Sequence, residues 1–208
     1  PNPNPMLCLA LTGGIATGKS SFARLFRSLE PLTAFFDCDA SVDTLLTTPS
    51  VTTTIAQVLG SNLLDANGAL IRSRLREKVF QNPDARKLLE EILHPMVRNL
   101  CQQALNDARA SNLSPWFLMD VPLLYESGFP IPRDLELVVA CGPSTQKTRL
   151  MARNGHSSDL ADRMLSAQLP IADKMNRADV VIWNGGTPNS LHRQTELFIL
   201  WLKNLPRH

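Results

Sequence analysis

The sequence predicts an α/β fold in three layers, with a five-stranded parallel sheet between helices and a helical lobe inserted into it. Three observations carry the prediction. Five short apolar runs alternate with stretches of helical periodicity along the 208 residues. The first run passes through a glycine-rich turn straight into an amphipathic helix. The stretch between the second and third runs, from Ala40 to about Ala110, is mostly helical and longer than one crossover needs.

Taken in order, Leu7-Cys8-Leu9-Ala10-Leu11 is an apolar run suited to a strand buried on both faces. Phe22, Leu25, Phe26 and Leu29 fall at i, i+3, i+4 and i+7, one face of a helix that begins near Lys19 and that Pro31 closes. Thr33–Phe36 reads as the second strand and leads into Asp37-Cys38-Asp39. Gly60 and Asn67-Gly68 punctuate the helical stretch, Asn82-Pro83-Asp84 is an N-cap with proline at the first helical position, and His94-Pro95 predicts a break or kink. Strand character returns at Trp116–Met119, ahead of Asp120, and again from Leu135 to Cys141. Gly142-Pro143 opens a basic helix containing Lys147, Arg149 and Arg153, and Ser157 or Ser158 caps a further helix to about Gln168. Val180–Trp183 is the last strand. Thr187-Pro188 then starts a closing helix whose Leu191, Leu197, Phe198 and Trp201 are expected to dock on the sheet.

Between the first strand and first helix stands Gly13-x-x-x-x-Gly18-Lys19-Ser20, the phosphate-binding loop pattern in the context it requires. Gly13, Gly14, Ile15, Ala16, Thr17 and Gly18 would wrap phosphate oxygens with their backbone N–H groups, and the helix N-terminus at Lys19, Ser20 and Ser21 adds its own. Lys19 would reach the β and γ phosphates, and the Ser20 hydroxyl would ligate Mg2+. The fold class is therefore that of a P-loop NTPase, and the expected ligand is a nucleoside triphosphate.

Composition bounds the rest. A net charge of +2, from 21 basic and 19 acidic residues, argues against a general nucleic-acid or membrane-surface binder. Cys8, Cys38, Cys101 and Cys141 stand far apart with no zinc spacing. Three lie in apolar surroundings and read as reduced thiols of a cytoplasmic protein. No apolar run approaches the roughly 18 residues of a membrane span. Residues 1–6, Pro-Asn-Pro-Asn-Pro-Met, read as a disordered tail without secretion-signal character, with Met6 as the initiator.

Among phosphate-loop classes, a GTPase would carry Asn-Lys-x-Asp, which is missing. Asp65-Ala66-Asn67-Gly68 matches D-x-x-G only in a remote turn. An oligomeric motor needs a longer chain. A small-molecule kinase fits, with a core at 7–39 and 114–204, a helical acceptor-binding insertion at about 40–112 and a basic lid at about 143–170.

Further motifs, in order, resemble the dephospho-coenzyme A kinase family over roughly residues 7–200. They are the loop Leu11-Thr12-Gly13-Gly14-Ile15-Ala16-Thr17-Gly18-Lys19-Ser20, then Asp37-Cys38-Asp39, then Arg72-x-x-Leu75-Arg76-x-x-Val79-Phe80 and Leu93-His94-Pro95. Val121-Pro122-Leu123-Leu124-Tyr125-Glu126, Gln146-x-x-Arg149-x-x-x-Arg153, Gln168 and Ala178-Asp179-x-Val181-Ile182-x-Asn184-x-Gly186 complete the series. Ala16 replaces a usual glycine, Ile71 an aspartate and Ser144 a glutamate.

The resemblance implies ATP-dependent phosphorylation of the ribose 3′-hydroxyl of dephospho-CoA, yielding coenzyme A and ADP, by a monomer or weak homo-oligomer. The alternatives are a nucleoside or nucleoside-monophosphate kinase and a regulatory nucleotide-binding module, the latter disfavoured by Asp39, Lys19 and the lid arginines. Asp39 is the expected catalytic base. Asp37 would serve magnesium through water or cap the next helix. Asp120 would orient magnesium or bond a neighbouring loop. Arg149 and Arg153 share a helical face and would clamp phosphates, the bland reading being a solvated basic face. Arg72 and Arg76 would take the acceptor's pyrophosphate or else pair with Glu77 or Glu90. His94, Leu123 and Glu126 are assigned to the acceptor side, and Asn184 and Gly186 to the adenine, with turn or structural roles as their alternatives.

Overall fold

A computed structural model describes residues 5–155 and 157–205. Within the expected disordered tail, residues 1–4 lie outside the described residues. The elements are β1 (Leu7–Gly13), α1 (Lys19–Leu29), β2 (Ala34–Asp37), α2 (Cys38–Leu45), α3 (Pro49–Leu59), a 3-10 turn (Ser61–Leu63), α4 (Arg72–Gln81), α5 (Pro83–Ser111), β3 (Trp116–Asp120), α6 (Leu124–Ser127), β4 (Leu135–Ala140), α7 (Pro143–Asn154), α8 (Ser158–Ser166), α9 (Ile171–Arg177), β5 (Val180–Trp183) and α10 (Pro188–Lys203). The chain forms two compact units, one from the N-terminal segment through Phe36 together with Ala104 onward, the other Asp37–Gln103.

The larger unit carries a parallel sheet of order β2-β3-β1-β4-β5. β1 is central and pairs with β3 and β4, which is why its run is apolar on both faces. On one face, Leu9, Leu11, Leu118, Leu137, Val139 and Ile182 pack with Phe22 and Phe26 of α1 and with Phe198, Ile199 and Leu202 of α10. The rings of Phe22, Phe26 and Phe198 form a triangle with centroids 5.9–6.1 Å apart. Each such fully buried side chain contributes about 1.5–3 kcal/mol. Parallel strands end together, so the carboxyl ends of β1, β3, β4 and β5 present their loops along one edge of the sheet.

The docking expected of α10 is only partly right. Leu191 and Phe198 are buried, whereas Leu197 is 50% exposed and Trp201 43% exposed. The inward face is instead Leu191, Thr195, Phe198, Ile199 and Leu202, at spacings of four, three, one and three, and Trp201 flanks it by stacking on Phe198. The short helix α9 was not foreseen as a separate element.

The smaller unit has its own core of Val51, Ile55, Leu59, Leu63, Leu75, Ala85, Leu93 and Val97. The Asn82 side chain accepts from the N–H groups of Asp84 and Ala85, the expected cap at the start of α5. Asp65 accepts from Asn67 and Ala69 and so closes a local turn, which explains the stray D-x-x-G match. No break occurs at His94-Pro95, because α5 runs through Pro95. A proline in a helix interior costs about 3 kcal/mol. Here Leu93, Val97, Cys101 and Leu105, all buried at four-residue spacing, hold the helix across it.

Candidate active site

The site in the larger unit is built from the turn between β1 and α1. Two residues there have positive φ, Ala16 at 60° and Gly18 at 91°. Left-handed residues within a tight turn point successive N–H groups to one side and carbonyls to the other. At Gly18 only glycine fits, since a Cβ would stand 2.0 Å from the Asn184 amide nitrogen. The helix N-terminus at Lys19 follows directly.

The outward carbonyls are met by donors almost residue by residue. Gly13 O accepts from the Lys174 ammonium at 3.2 Å. Gly14 O accepts from Thr17 through both its N–H and its hydroxyl. Ile15 O accepts from Gln146 Nε2 at 2.8 Å, and Thr17 O from Asn184 Nδ2 at 2.8 Å and Arg149 Nη1 at 3.5 Å. One amide is held too, because Ile15 N–H donates to Gln168 Oε1 at 2.9 Å. The loop is thereby braced from α7 (Gln146, Arg149), from the segment between α8 and α9 (Gln168), from α9 (Lys174) and from the end of β5 (Asn184).

Lys19, the first residue of α1, forms an ion pair with Asp120 at the carboxyl end of β3, and both side chains are largely buried. Ser20 and Ser21 lie in the same first turn. A Mg2+ ion bound with a triphosphate needs only one or two protein oxygens, because phosphates and waters complete its shell. No cluster of three or more His, Cys, Asp or Glu able to hold a metal occurs among the described residues. Ser20 follows Lys19 in the chain and Asp120 pairs with Lys19, so each offers an oxygen donor of that kind next to the same lysine.

The other expected residues of this unit are placed as follows. Arg149 reaches the loop from α7, and Arg153 lies one turn further along the same helix, exposed. Lys147 of α7 pairs with Asp162 of α8 at 2.6 Å, which fastens the two helices together. Asn184 is buried with its amide on the Thr17 carbonyl, so it props the loop, and Gly186 lies in the exposed turn before α10. Leu123 is exposed just ahead of α6. Glu126 of α6 binds Lys174 Nζ at 2.8 Å and accepts from Leu169 N–H at 3.1 Å. Burial alone would raise the Glu126 carboxyl, but the Lys174 bond and backbone N–H bonds outweigh it and hold it below 4.5. Burial raises the Cys141 thiol despite the opposing Arg149 charge.

The smaller unit starts at Asp37, the last residue of β2, and a helix begins at Cys38. Asp37 is the N-cap of α2, accepting from Ala40 N–H at 3.0 Å, and Asp39 stands exposed in the first turn. Arg72 of α4 pairs with Asp43 of α2, both through its carboxylate and through its carbonyl at 2.8 Å, rather than with Glu77 or Glu90. Arg76 is exposed and His94 half-buried.

Sequence reasoning passed over Lys174. A lysine in a seven-residue helix carries no signal of burial, and only its three-dimensional neighbours reveal it. Gln146 and Gln168 were noted without a role, and their grip on Ile15 supplies one.

A model of the family described as dephospho-CoA kinase matches residues 7–189. A protein named dephospho-CoA kinase from Anaeromyxobacter dehalogenans is 40% identical over 186 residues, covering 89% of this chain and 87% of its own. One of the same name from Geobacter sulfurreducens is 35% identical over 201 residues, covering 97% and 100%. The crystal structure of TT1252 from Thermus thermophilus superposes with a TM-score of 0.79 at 28% identity, covering 97% of this chain and 100% of that one.

Proposed function

The chain belongs to the dephospho-CoA kinase family, and from that premise we propose how its own residues divide the work of the family's reaction. The activity is ATP-dependent phosphorylation of dephospho-CoA, which yields coenzyme A and ADP. The observation that carries the assignment of roles is the braced loop, with its carbonyls engaged on the outside and Lys19 and Asp120 at its mouth.

ATP places its β and γ phosphates against the loop and helix start Gly13–Ser21, where backbone N–H groups not taken by Gln168, Gly14 or Gly18, the helix N-terminus and Lys19 oppose their charge. Ser20 and Asp120 would hold Mg2+, which when bound would neutralise charge on the phosphates. Lys19 and Asp120 are partners of each other, so each is kept oriented at the mouth of the loop. Asp39, in the first turn of α2, takes the proton from the acceptor's ribose 3′-hydroxyl. The hydroxyl oxygen bonds to the γ-phosphorus as the bond to the β–γ bridging oxygen breaks, and ADP leaves with that electron pair. Arg149 and Arg153, on the lid at about 143–170, meet the charge on the transferring group. Arg72, Arg76 and His94 of the acceptor lobe at about 40–112, with Leu123 and Glu126, serve dephospho-CoA, and Asn184 and Gly186 the nucleotide side. Asn184 does so by holding Thr17.

No helix among the described residues is long and apolar enough to cross a membrane, and all four cysteines are buried free thiols. The buried free thiols suit a reducing compartment, and the reading is of a cytoplasmic enzyme acting on small molecules as a monomer or weak homo-oligomer. The deciding experiment is an ADP-release assay with dephospho-CoA beside adenosine, AMP, CMP and shikimate. Turnover with dephospho-CoA is expected. Turnover only with a nucleoside or nucleotide would replace the assignment, and none at all would point to a regulatory nucleotide-binding module.

A further inference from the structure

We propose that Lys174 is a positioning residue for phosphoryl transfer, its ammonium fixing the Gly13 carbonyl and the segment after β3 so that the loop's N–H groups face the triphosphate. The inference rests on the reading of the loop as the ATP site. Lys174 lies on α9 with its side chain 0% exposed. Burying an ammonium is costly unless it is paired and its protons are met, and a methionine of similar length would fill the space without that cost. What lysine adds is three donors.

All three find oxygens, on three different segments. They are Gly13 O at the end of β1 (3.2 Å), Pro122 O two residues past Asp120 (3.5 Å) and Glu126 Oε1 on α6 (2.8 Å). Pro122 O also accepts from the Thr12 hydroxyl at 3.0 Å, which ties the same segment to β1 a second time. Five residues before Lys174, Leu169 bonds Glu126, and one residue earlier Gln168 holds Ile15 N–H. Residues 168–174 therefore grip the phosphate loop at both Gly13 and Ile15. A loop carbonyl that rotated toward a bound phosphate would repel it, and a charged donor on the outside opposes that rotation at the residue where strand becomes loop.

The competing explanation is that Lys174 merely neutralises Glu126. Lys174→Met, Glu126→Gln and the double variant separate the two, read by melting midpoint, ATP binding by calorimetry, and kcat with ATP and dephospho-CoA. Lys174→Met alone should lower the midpoint, because it strands a carboxylate. The double variant should recover the midpoint of Glu126→Gln, yet turn over about tenfold or more slower than that single variant and bind ATP more weakly. A double variant equal to Glu126→Gln in kcat and ATP affinity overturns the proposal. Should the double variant not fold, Lys174→Gln with Glu126→Gln, which keeps a neutral donor at shorter reach, is compared in the same way. Wild-type protein that bound ATP but left dephospho-CoA untouched would refute the functional reading instead, while calorimetry on the variants would still test Lys174.

Discussion

Ala16 holds a φ of 60° in the middle of the phosphate loop. That conformation costs an L-residue roughly 1–2 kcal/mol, and glycine pays almost nothing there in strain while giving up about 0.5–1 kcal/mol in unfolded-state entropy. Ala16→Gly should therefore stabilise the protein slightly, raising the melting midpoint by about 2 °C or less, and a clear fall in calorimetry would contradict the strain. Asp39 tests the chemistry. Asp39→Asn keeps shape and should leave ATP affinity within about twofold while cutting kcat by roughly 10²–10⁴. Near-normal kcat would remove Asp39 from the mechanism. The phosphate loop itself was legible beforehand because it demands particular residue types at fixed spacing. Lys174 and the loop-bracing role of Asn184 were not, since their meaning comes from partners 161 and 167 positions away in the chain.

Elements were read well where the signal is local. The caps at Asn82, Ser157 and Thr187 each accept a backbone N–H as their positions implied. Elements that depend on tertiary burial were not. α5 passes Pro95 because its buried stripe outweighs one missing bond, and α9 is too short to form without its contacts. α4 shows the cost of a missing cap. Ile71 is its N-cap residue and makes no side-chain cap bond. Ile71→Asp should add about 0.5–1 kcal/mol, net of some lost apolar contact, and raise the midpoint by about 1–4 °C, with Ile71→Ala giving no gain. On α7, Arg153 is exposed one turn beyond the arginine that touches the loop. Arg153→Ala should lower kcat by about tenfold or more while ATP affinity in calorimetry barely moves. A change in melting temperature alone would reduce it to a solvated charge.

For the whole molecule, alternation of apolar runs with helical periods revealed the α/β class and the run of helices between β2 and β3, whereas the strand order β2-β3-β1-β4-β5 is set by pairings that no local pattern encodes. The buried pairing of Lys174 with Glu126 joins α9 to α6 within the sheet-bearing unit, and it links global stability to pH. The folded-state carboxyl of Glu126 lies below its ordinary 4.5, so the folded protein releases that proton more readily than the unfolded chain does. Stability from this pair is thus complete above about pH 4.5 and is lost as the pH falls through the lower folded-state value. Glu126→Gln carries no titrating carboxyl, and it should be less stable than wild type at pH 7 by on the order of 1–2 kcal/mol. That is below the 3–5 kcal/mol typical of breaking a fully buried pair, because one partner touches solvent. The gap between the two proteins, followed by urea unfolding from pH 7 down to pH 3, should stay flat to about pH 4.5 and then narrow. A gap that widened on acidification, or did not change with pH, would show that the carboxylate form is not the one the fold prefers.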